Sequence, residues 1–492
     1  MITASLLYNH LVCPHRVSMD AFADPGTRDP VSPFLQMLWE RGSSFERQMI
    51  AGLEQTITDL SEFNGEEKER RTREALARGD ALIYSGRLTA EELLGEPDIL
   101  RREGPGYVAI DIKSGAGEEG GDEEDGKPKK TYGVQVALYT NILIRLGLSA
   151  GRYAYIWDVH GTEKRYELDT PLGPKSPSLW EVYLETRAAV ERTLAHAPSR
   201  PAAAAVCKQC VWRSACLREL KACSDLTLLP ELGRAKRDVL VGQFPTLQDL
   251  AQGNIERFVC GSKTDFPGVG PATLRKFQAR ARLAVMSDPS PYLTRPISWP
   301  SAEVELFFDI ETDPMRDLCY LHGFVIREQG NTAAERFEGI FVDDPTPDAE
   351  RKAFEVAMAM FRGYPSAVVV HYSKYERTEY RKLQGKYPNV ATAEEIEALF
   401  KPPRALDLYL DIVKPGSEWP TMDFSIKSLA KCCGFSWRDS DPSGAASIEW
   451  FDRWVQNGDA LQRQRLLEYN EDDCRAMRIV MDALKGMPVR PV

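Results

Sequence analysis

Asp98 and Asp111 stand thirteen residues apart, and Lys113 follows two residues after the second. Two carboxylates can hold a divalent cation, and a neighbouring ammonium can stabilise an attacking water or the charge of a phosphorane. Gln135 and Tyr139 come next, four apart, and so share one face of any helix that carries them. Taken alone, D-x-K also fits a strand end with a solvated ion pair. The ordered set, D then D-x-K then Q-x3-Y, is far less common. A second acidic group lies towards the other end. Asp309 and Glu311 alternate in FFDIETDP, so on a strand they point the same way. Tyr469 and Asp473 are four apart in EYNEDDCRA, and Glu376 follows the apolar run VVVH between the two. Two metal ions a few ångströms apart need about four carboxylates from separate elements, and a helix tyrosine can orient the attacking water. D-x-E on a strand and Y-x3-D on a helix are each common on surfaces. Their order, after a long apolar strand, is harder to assign to chance.

Cys207, Cys210 and Cys216, in CKQCVWRSAC, have C-x2-C-x5-C spacing. A soft metal centre takes four thiolates, or thiolates with imidazoles, so a fourth ligand is needed. Cys223, just downstream, would complete a local zinc site. Cys13, far upstream in HLVCPHRV, would instead join two distant segments. Ten cysteines in a reducing compartment do not read as a disulfide framework.

The elements that must position these groups can be read from the apolar pattern. GYVAIDIKSG is a strand carrying Asp111 and Lys113, and Asp98 in GEPDIL stands near a strand start. YGVQVALYTNILIRLG is a helix, VELFFDIETD a buried strand, and VVVHYSKYERTEY a strand running into a helix. At 492 residues the chain is too long for one core, and about three domains are expected. Its 43% hydrophobic and 27% charged residues are those of an ordinary globular protein. A net charge of −11 argues against a chain coated with nucleic-acid-binding surface. It does not argue against a nuclease, whose metal-binding carboxylates are themselves acidic. GAGEEGGDEEDGKPKK, residues 115–130, reads as a mobile surface loop. No apolar run approaches membrane-spanning length and the first residues lack a signal-peptide pattern, so a cytoplasmic location is expected.

The proline-dense SDPSPYLTRPISWPS reads as an extended linker, and a new domain begins after it. Before it come two similar units, LPELGRAKRDVL and FPGVGPATLRKF, each a glycine-containing hairpin and then a helix. Such hairpins present backbone N–H groups that suit phosphate oxygens. Gly268 and Gly270, with Arg275 and Lys276, are the nucleic-acid-binding candidates. Lys236, Arg237, Arg280 and Arg282 follow the same hairpins. The alternative is a helical spacer with a solvated basic face. No P-loop motif occurs.

Asp98, Asp111-x-Lys113 and Gln135-x3-Tyr139 resemble the PD-(D/E)xK nucleases of RecB type. The cysteine spacing resembles their iron–sulfur branch. That resemblance implies a [4Fe–4S] cluster held by Cys13, Cys207, Cys210 and Cys216, with zinc, or Cys223 in place of Cys13, as the alternatives. Where the family often has a histidine on its first long helix, this chain has Phe45 and Glu46, and Glu46 is the substitute metal-ligand candidate. Gly268-Val269-Gly270 resembles a helix-hairpin-helix module. Asp309, Glu311, Tyr469 and Asp473 resemble the tyrosine subclass of DEDD exonucleases, of RNase H-like fold. Glu376 departs from that pattern, which has aspartate there, and Asp407 and Lys427 fall where accessory residues often stand.

The resemblances imply an α/β multidomain protein. Residues 1–223 would be a restriction-endonuclease-like nuclease core, 224–286 a small all-α tandem helix-hairpin-helix region, 287–302 a linker, and 303–492 an RNase H-like 3′→5′ exonuclease domain. They imply a nuclease with two Mg2+- or Mn2+-dependent centres, acting on DNA, with RNA possible, at single-stranded ends. A helicase is expected to act in trans. The alternative is a nucleic-acid-binding or scaffold protein in which one or both centres are inactive.

Overall fold

GYVAIDI, Gly106–Ile112, is buried along its whole length, as a strand covered on both faces must be. In the computed structural model, which describes residues 1–119 and 126–490, it is a central strand of a six-stranded sheet. The order across that sheet is Glu163–Glu167, Tyr153–Trp157, Gly106–Ile112, Ile99–Glu103, Leu82–Tyr84 and Thr58–Asp59. Ile99–Glu103 pairs antiparallel with the central strand, while Tyr153–Trp157 pairs parallel to it. A parallel neighbour needs a crossover. The helix Lys130–Arg145 lies in that connection, and its buried side chains, among them Val134, Leu138 and Ile142, enter the core. Part of the acidic segment 115–130 lies outside the described residues; on either side of that gap Glu118–Glu119 pairs with Lys127–Pro128.

The chain divides into two compact units, residues 1–201 with 205–216, and residues 202–204 with 217–492. The division falls within the helix Arg213–Ala222. In the first unit, helices Ala4–Val12 and Pro14–Phe22 meet at Cys13, which ends one and precedes the other. Pro14 at the first helical position fits there because its missing N–H would have had no partner.

The second unit holds a five-stranded sheet, ordered Arg336–Phe341, Leu318–Glu328, Val304–Asp313, Val368–His371 and Ala405–Asp407. The first three strands are antiparallel, and the last two run parallel to Val304–Asp313. Alternation sends Phe307 and Val370 to one face, against Leu466, Met477 and Trp450. It sends Leu306, Phe308 and Val369 to the other, against Phe354, Phe361 and Tyr380. The 27-residue helix Ala460–Gly486 packs on this sheet and brings Asp473 to it.

In the same unit, helices Arg234–Leu240, Leu247–Gln252 and Pro271–Ala284 close over their own core of Leu240, Phe244, Leu250, Phe266, Leu274 and Phe277. Two residues read from sequence as basic surface are inside. Arg237 is 1% exposed and bonds Asp225 at 3.0 Å. Arg280 is 1% exposed and bonds Glu418 Oε2 at 2.7 Å, Pro230 O at 2.6 Å and Glu231 Oε2 at 3.0 Å. A buried guanidinium needs such partners, and here they join the helices to the sheet domain. The proline-dense segment is likewise pinned. Tyr292–Leu293 pairs with Ser417–Glu418, and Leu293 exchanges backbone hydrogen bonds with Pro488 and Arg490. No helix among the described residues is long and apolar enough to cross a membrane.

Candidate active sites

Asp309 and Glu311 lie on one face of Val304–Asp313, and Asp473 reaches them from the helix Ala460–Gly486. One carboxylate oxygen from each lies within 4.8 Å of the others. The neighbours that hold them come from far along the chain. Asn470 donates to Asp309 Oδ2 at 2.8 Å, and Ser447 Oγ donates to Glu311 Oε2 at 2.7 Å. The Trp437 indole N–H donates to Asp473 Oδ1 at 2.8 Å. Lys427 Nζ reaches both Asp473 oxygens, at 3.2 and 3.1 Å, and donates to the Tyr469 hydroxyl at 2.8 Å. Asn470 can approach because residue 323 is glycine: a Cβ there would stand 1.6 Å from Asn470 Oδ1.

Three carboxylates this close resist sharing their charge. Burial and the charge of Asp473 push Glu311 up to about 8. Burial, then Asp473, Glu311 and Glu376, hold Asp309 well above the usual carboxylate range. Lys427 stays charged because Asp473 and Glu311 outweigh its burial. Burial and the same three acids keep the Tyr469 phenol neutral. One ammonium among three acids leaves a deficit of positive charge, and oxygen donors suit Mg2+ or Mn2+. The residues therefore fit a divalent ion.

The structure does not bring Glu376 into this group of three. It is buried at the start of the helix Tyr375–Lys386, with Oε2 3.7 Å from His371 Nδ1. Its charge still reaches Asp309. Asp407 plays a local part, accepting the N–H groups of Ser373, Tyr409 and Leu410. Asp472, next to Asp473, turns instead to Arg438.

The first unit holds a second acidic site. Asp98 Oδ2 accepts the Ile112 N–H at 2.6 Å, which fixes it beside the strand that carries Asp111. Lys113 Nζ lies 2.5 Å from Asp111 Oδ2 and 5.4 Å from the Tyr132 ring centre. Burial raises Asp98 strongly, and the charges of Asp111 and Glu46 add to it. Glu46, on the helix Pro33–Ala51, thus acts on Asp98 by its charge, and it also bonds the Tyr84 hydroxyl. Tyr139 is buried, and burial, then Asp111 and Asp98, raise its phenol. Gln135 Oε1 is buried with no hydrogen-bond partner. A cation or its bound water would satisfy that oxygen, so these residues too fit a divalent ion.

At the cysteines, burial raises the Cys210 thiol, and Cys207 and Cys13 raise it further. Those three thiols from the two ends of the unit are thus neighbours. The segments are tied elsewhere as well: the Trp212 indole donates to Asp20 at 2.7 Å, and Asp29 accepts the Ser214 N–H at 2.9 Å. Cys216 stands on the helix Arg213–Ala222, while Cys223 is exposed and lies in the other unit. Among the described residues these cysteines are not drawn together as tightly as the acids at Asp309.

Residues 306–485 match the family model of the RNase H superfamily. The C-terminal domain is RNase H-like. No match was found among curated proteins or among solved structures. The matched region contains Asp309, Glu311, Glu376, Tyr469 and Asp473, together with Lys427, Trp437, Ser447 and Asn470. It is consistent with a nuclease acting on nucleic acid through divalent ions. Sequence reasoning missed Asn470, Ser447, Trp437 and Gly323. Asn470 adjoins Tyr469 and could have been read from that helix. Trp437 and Ser447 lie in segments with no periodic signal that points to the acids.

Among the hairpin candidates, Gly268 has φ of 75°, a left-handed turn that glycine favours, and Gly270 precedes the helix Pro271–Ala284. Arg275 is exposed and paired with Glu256, and Lys276 donates to Lys414 O at 3.2 Å.

Proposed function

We propose that the protein is a metal-dependent DNA nuclease with two separate centres. The RNase H-like domain would act as a 3′→5′ exonuclease on single-stranded ends, and a RecB-type PD-(D/E)xK centre would occupy residues 1–223. The observation that carries this reading is the convergence of Asp309, Glu311 and Asp473 within 4.8 Å. When bound, divalent ions would activate water and take up the charge of the leaving oxygen. Tyr469, kept neutral, would orient the water, and Lys427 would hold Tyr469 and Asp473 in place while supplying positive charge near the reacting phosphate. In the first unit Asp98, Asp111 and Glu46 would hold the ion, and Lys113 would stabilise the developing charge. Gln135 and Tyr139 line that site in this reading.

Residues 224–286 would contact the phosphate backbone through the hairpin at Gly268 and Gly270, with Arg275 and Lys276 beside it. A helicase acting in trans would supply the single strand. Cys13, Cys207, Cys210 and Cys216 would hold a [4Fe–4S] cluster that ties the ends of the first unit. Protein purified without oxygen should then be brown, with about four irons per chain, and Cys13→Ala should lose the colour. Stoichiometric zinc without iron contradicts the cluster. The position of Glu376 outside the acidic group favours one rival, a nucleic-acid-binding protein whose C-terminal centre is inactive.

The test is cleavage of end-labelled single- and double-stranded DNA and RNA with Mg2+ or Mn2+, by the full chain and by an Asp111→Ala Asp309→Ala double variant. Metal-dependent cleavage that the double variant lacks supports the reading. Equal cleavage by both, or none by either, overturns it.

A further inference from the structure

A cavity of about 400 Å³ lies on the helical part of the second unit, between the helix Pro271–Ala284, the segment at Glu256, Tyr292 and the C-terminal Arg490. That volume is in the range of small-ligand sites. Its lining is of two kinds. Met286, 50% exposed, gives an apolar surface beside the buried Leu283. Arg275, Arg282 and Arg490 give three guanidiniums against the one carboxylate of Glu256.

The arginines are held rather than loose. Arg275 grips Glu256 through Nε and a terminal nitrogen, both at 2.7 Å. Arg282 donates Nε to Ala251 O at 3.0 Å, which uses one of its five N–H groups. The Arg490 guanidinium lies 5.5 Å over the Tyr292 ring, and its backbone N–H bonds Leu293 O at 2.7 Å. The helix itself is fixed to the sheet domain by the buried Arg280–Glu418 pair. The cavity is thus a preset basic pocket with an apolar wall. A guanidinium fork matches phosphate oxygens, and an apolar wall accepts the face of a base.

We propose that this cavity binds one nucleotide unit, with its phosphate on Arg282 and Arg490 and its base against Met286. The choice of a nucleotide over another anion rests on the nuclease reading above. A unit of a nucleic-acid strand and a free nucleotide offer the same chemistry, and the experiment separates them.

Binding is measured in the full chain carrying Asp111→Ala and Asp309→Ala, so that no cleavage is needed for the readout and a failure of the nuclease reading leaves the result interpretable. The probes are a fluorescent single-stranded oligonucleotide, followed by anisotropy, and deoxyadenosine monophosphate, followed by calorimetry. Arg282→Glu and Arg490→Glu should each weaken binding about tenfold, and each should lower the salt dependence by about one phosphate contact. Loss for the oligonucleotide alone makes the ligand a strand; loss for both probes, with the monophosphate competing, makes it a nucleotide site. Thermal melting checks the fold, and Arg490→Gln, in the terminal segment, reads the same pocket if Arg282→Glu does not fold. The proposal is overturned if neither probe binds, or if folded variants bind both probes with unchanged affinity and salt dependence.

Discussion

The two acidic sites differ in how closely their acids crowd. In the RNase H-like domain three carboxylates crowd together, and the single ammonium of Lys427 is shared between Asp473 and Tyr469. In the first unit Lys113 sits against Asp111 itself, and Asp98 has already given an oxygen to the Ile112 N–H. Both arrangements set three acids against one ammonium, since Glu46 also acts on Asp98. What differs is crowding: among the described residues only Asp309, Glu311 and Asp473 each bring an oxygen within 4.8 Å of the others. The contrast teaches that residue type alone does not set metal demand; the spacing of the acids does. The C-terminal site should therefore bind Mn2+ more tightly, and lose more when a ligand is removed.

The sharpest way to break that contrast is to remove acids. Asp309→Ala should reduce the C-terminal activity at least ~100-fold, because it deletes a metal ligand and the partner of Asn470. Lys113→Ala, assayed with Asp309 already replaced, should reduce the remaining activity about 100-fold by removing charge stabilisation. If Lys113→Ala is silent there, the first site is not catalytic.

Both sites were legible in the sequence to different depths. Asp309 with Glu311, and Tyr469 with Asp473, could be paired because strand and helix periods place them on one face, and the structure brings Asp309, Glu311 and Asp473 together. Trp437 and Ser447 could not, since only tertiary folding carries them to the acids. Arg237 and Arg280 were misread as surface because local charge says nothing about a buried partner such as Asp225 or Glu418. The proline-dense segment was read as a linker by composition, yet two of its residues join a sheet. A fragment starting at Ser301 would lose Leu293, which packs in the sheet domain's core. The full chain is thus the better protein for every assay.

A smaller effect tests the packing behind the C-terminal site. Gly323→Ala would force Asn470 away from the strand and so disturb Asp309. It should cost about 1–3 kcal/mol of stability by overpacking and slow cleavage about tenfold. Unchanged melting and activity would show that Asn470 does not position Asp309.

The pH dependence sharpens the comparison further. Glu311 is raised to about 8 without metal, above its ordinary 4.5, so the metal-free fold holds a proton that the unfolded chain releases. That contribution favours the fold below about 4.5 and is lost as pH rises towards about 8. Metal must displace the same proton, so apparent Mn2+ affinity should rise over that interval. Calorimetry of the full chain at pH 6, 7 and 8 should show this rise, and Glu311→Gln should lessen it, leaving the part due to Asp309. The smallest effect is expected for Tyr469→Phe, which leaves the acids and Lys427 in place and should slow cleavage about tenfold or less.

The most direct measurement is the product ladder from 5′-labelled single-stranded DNA with Mn2+, using the full chain carrying Asp111→Ala so that only the C-terminal site can act. The account predicts a ladder shortening from the 3′ end that disappears when Asp309→Ala is added. A protein that binds Mn2+ yet cleaves neither DNA nor RNA, or a ladder that survives Asp309→Ala, would contradict it.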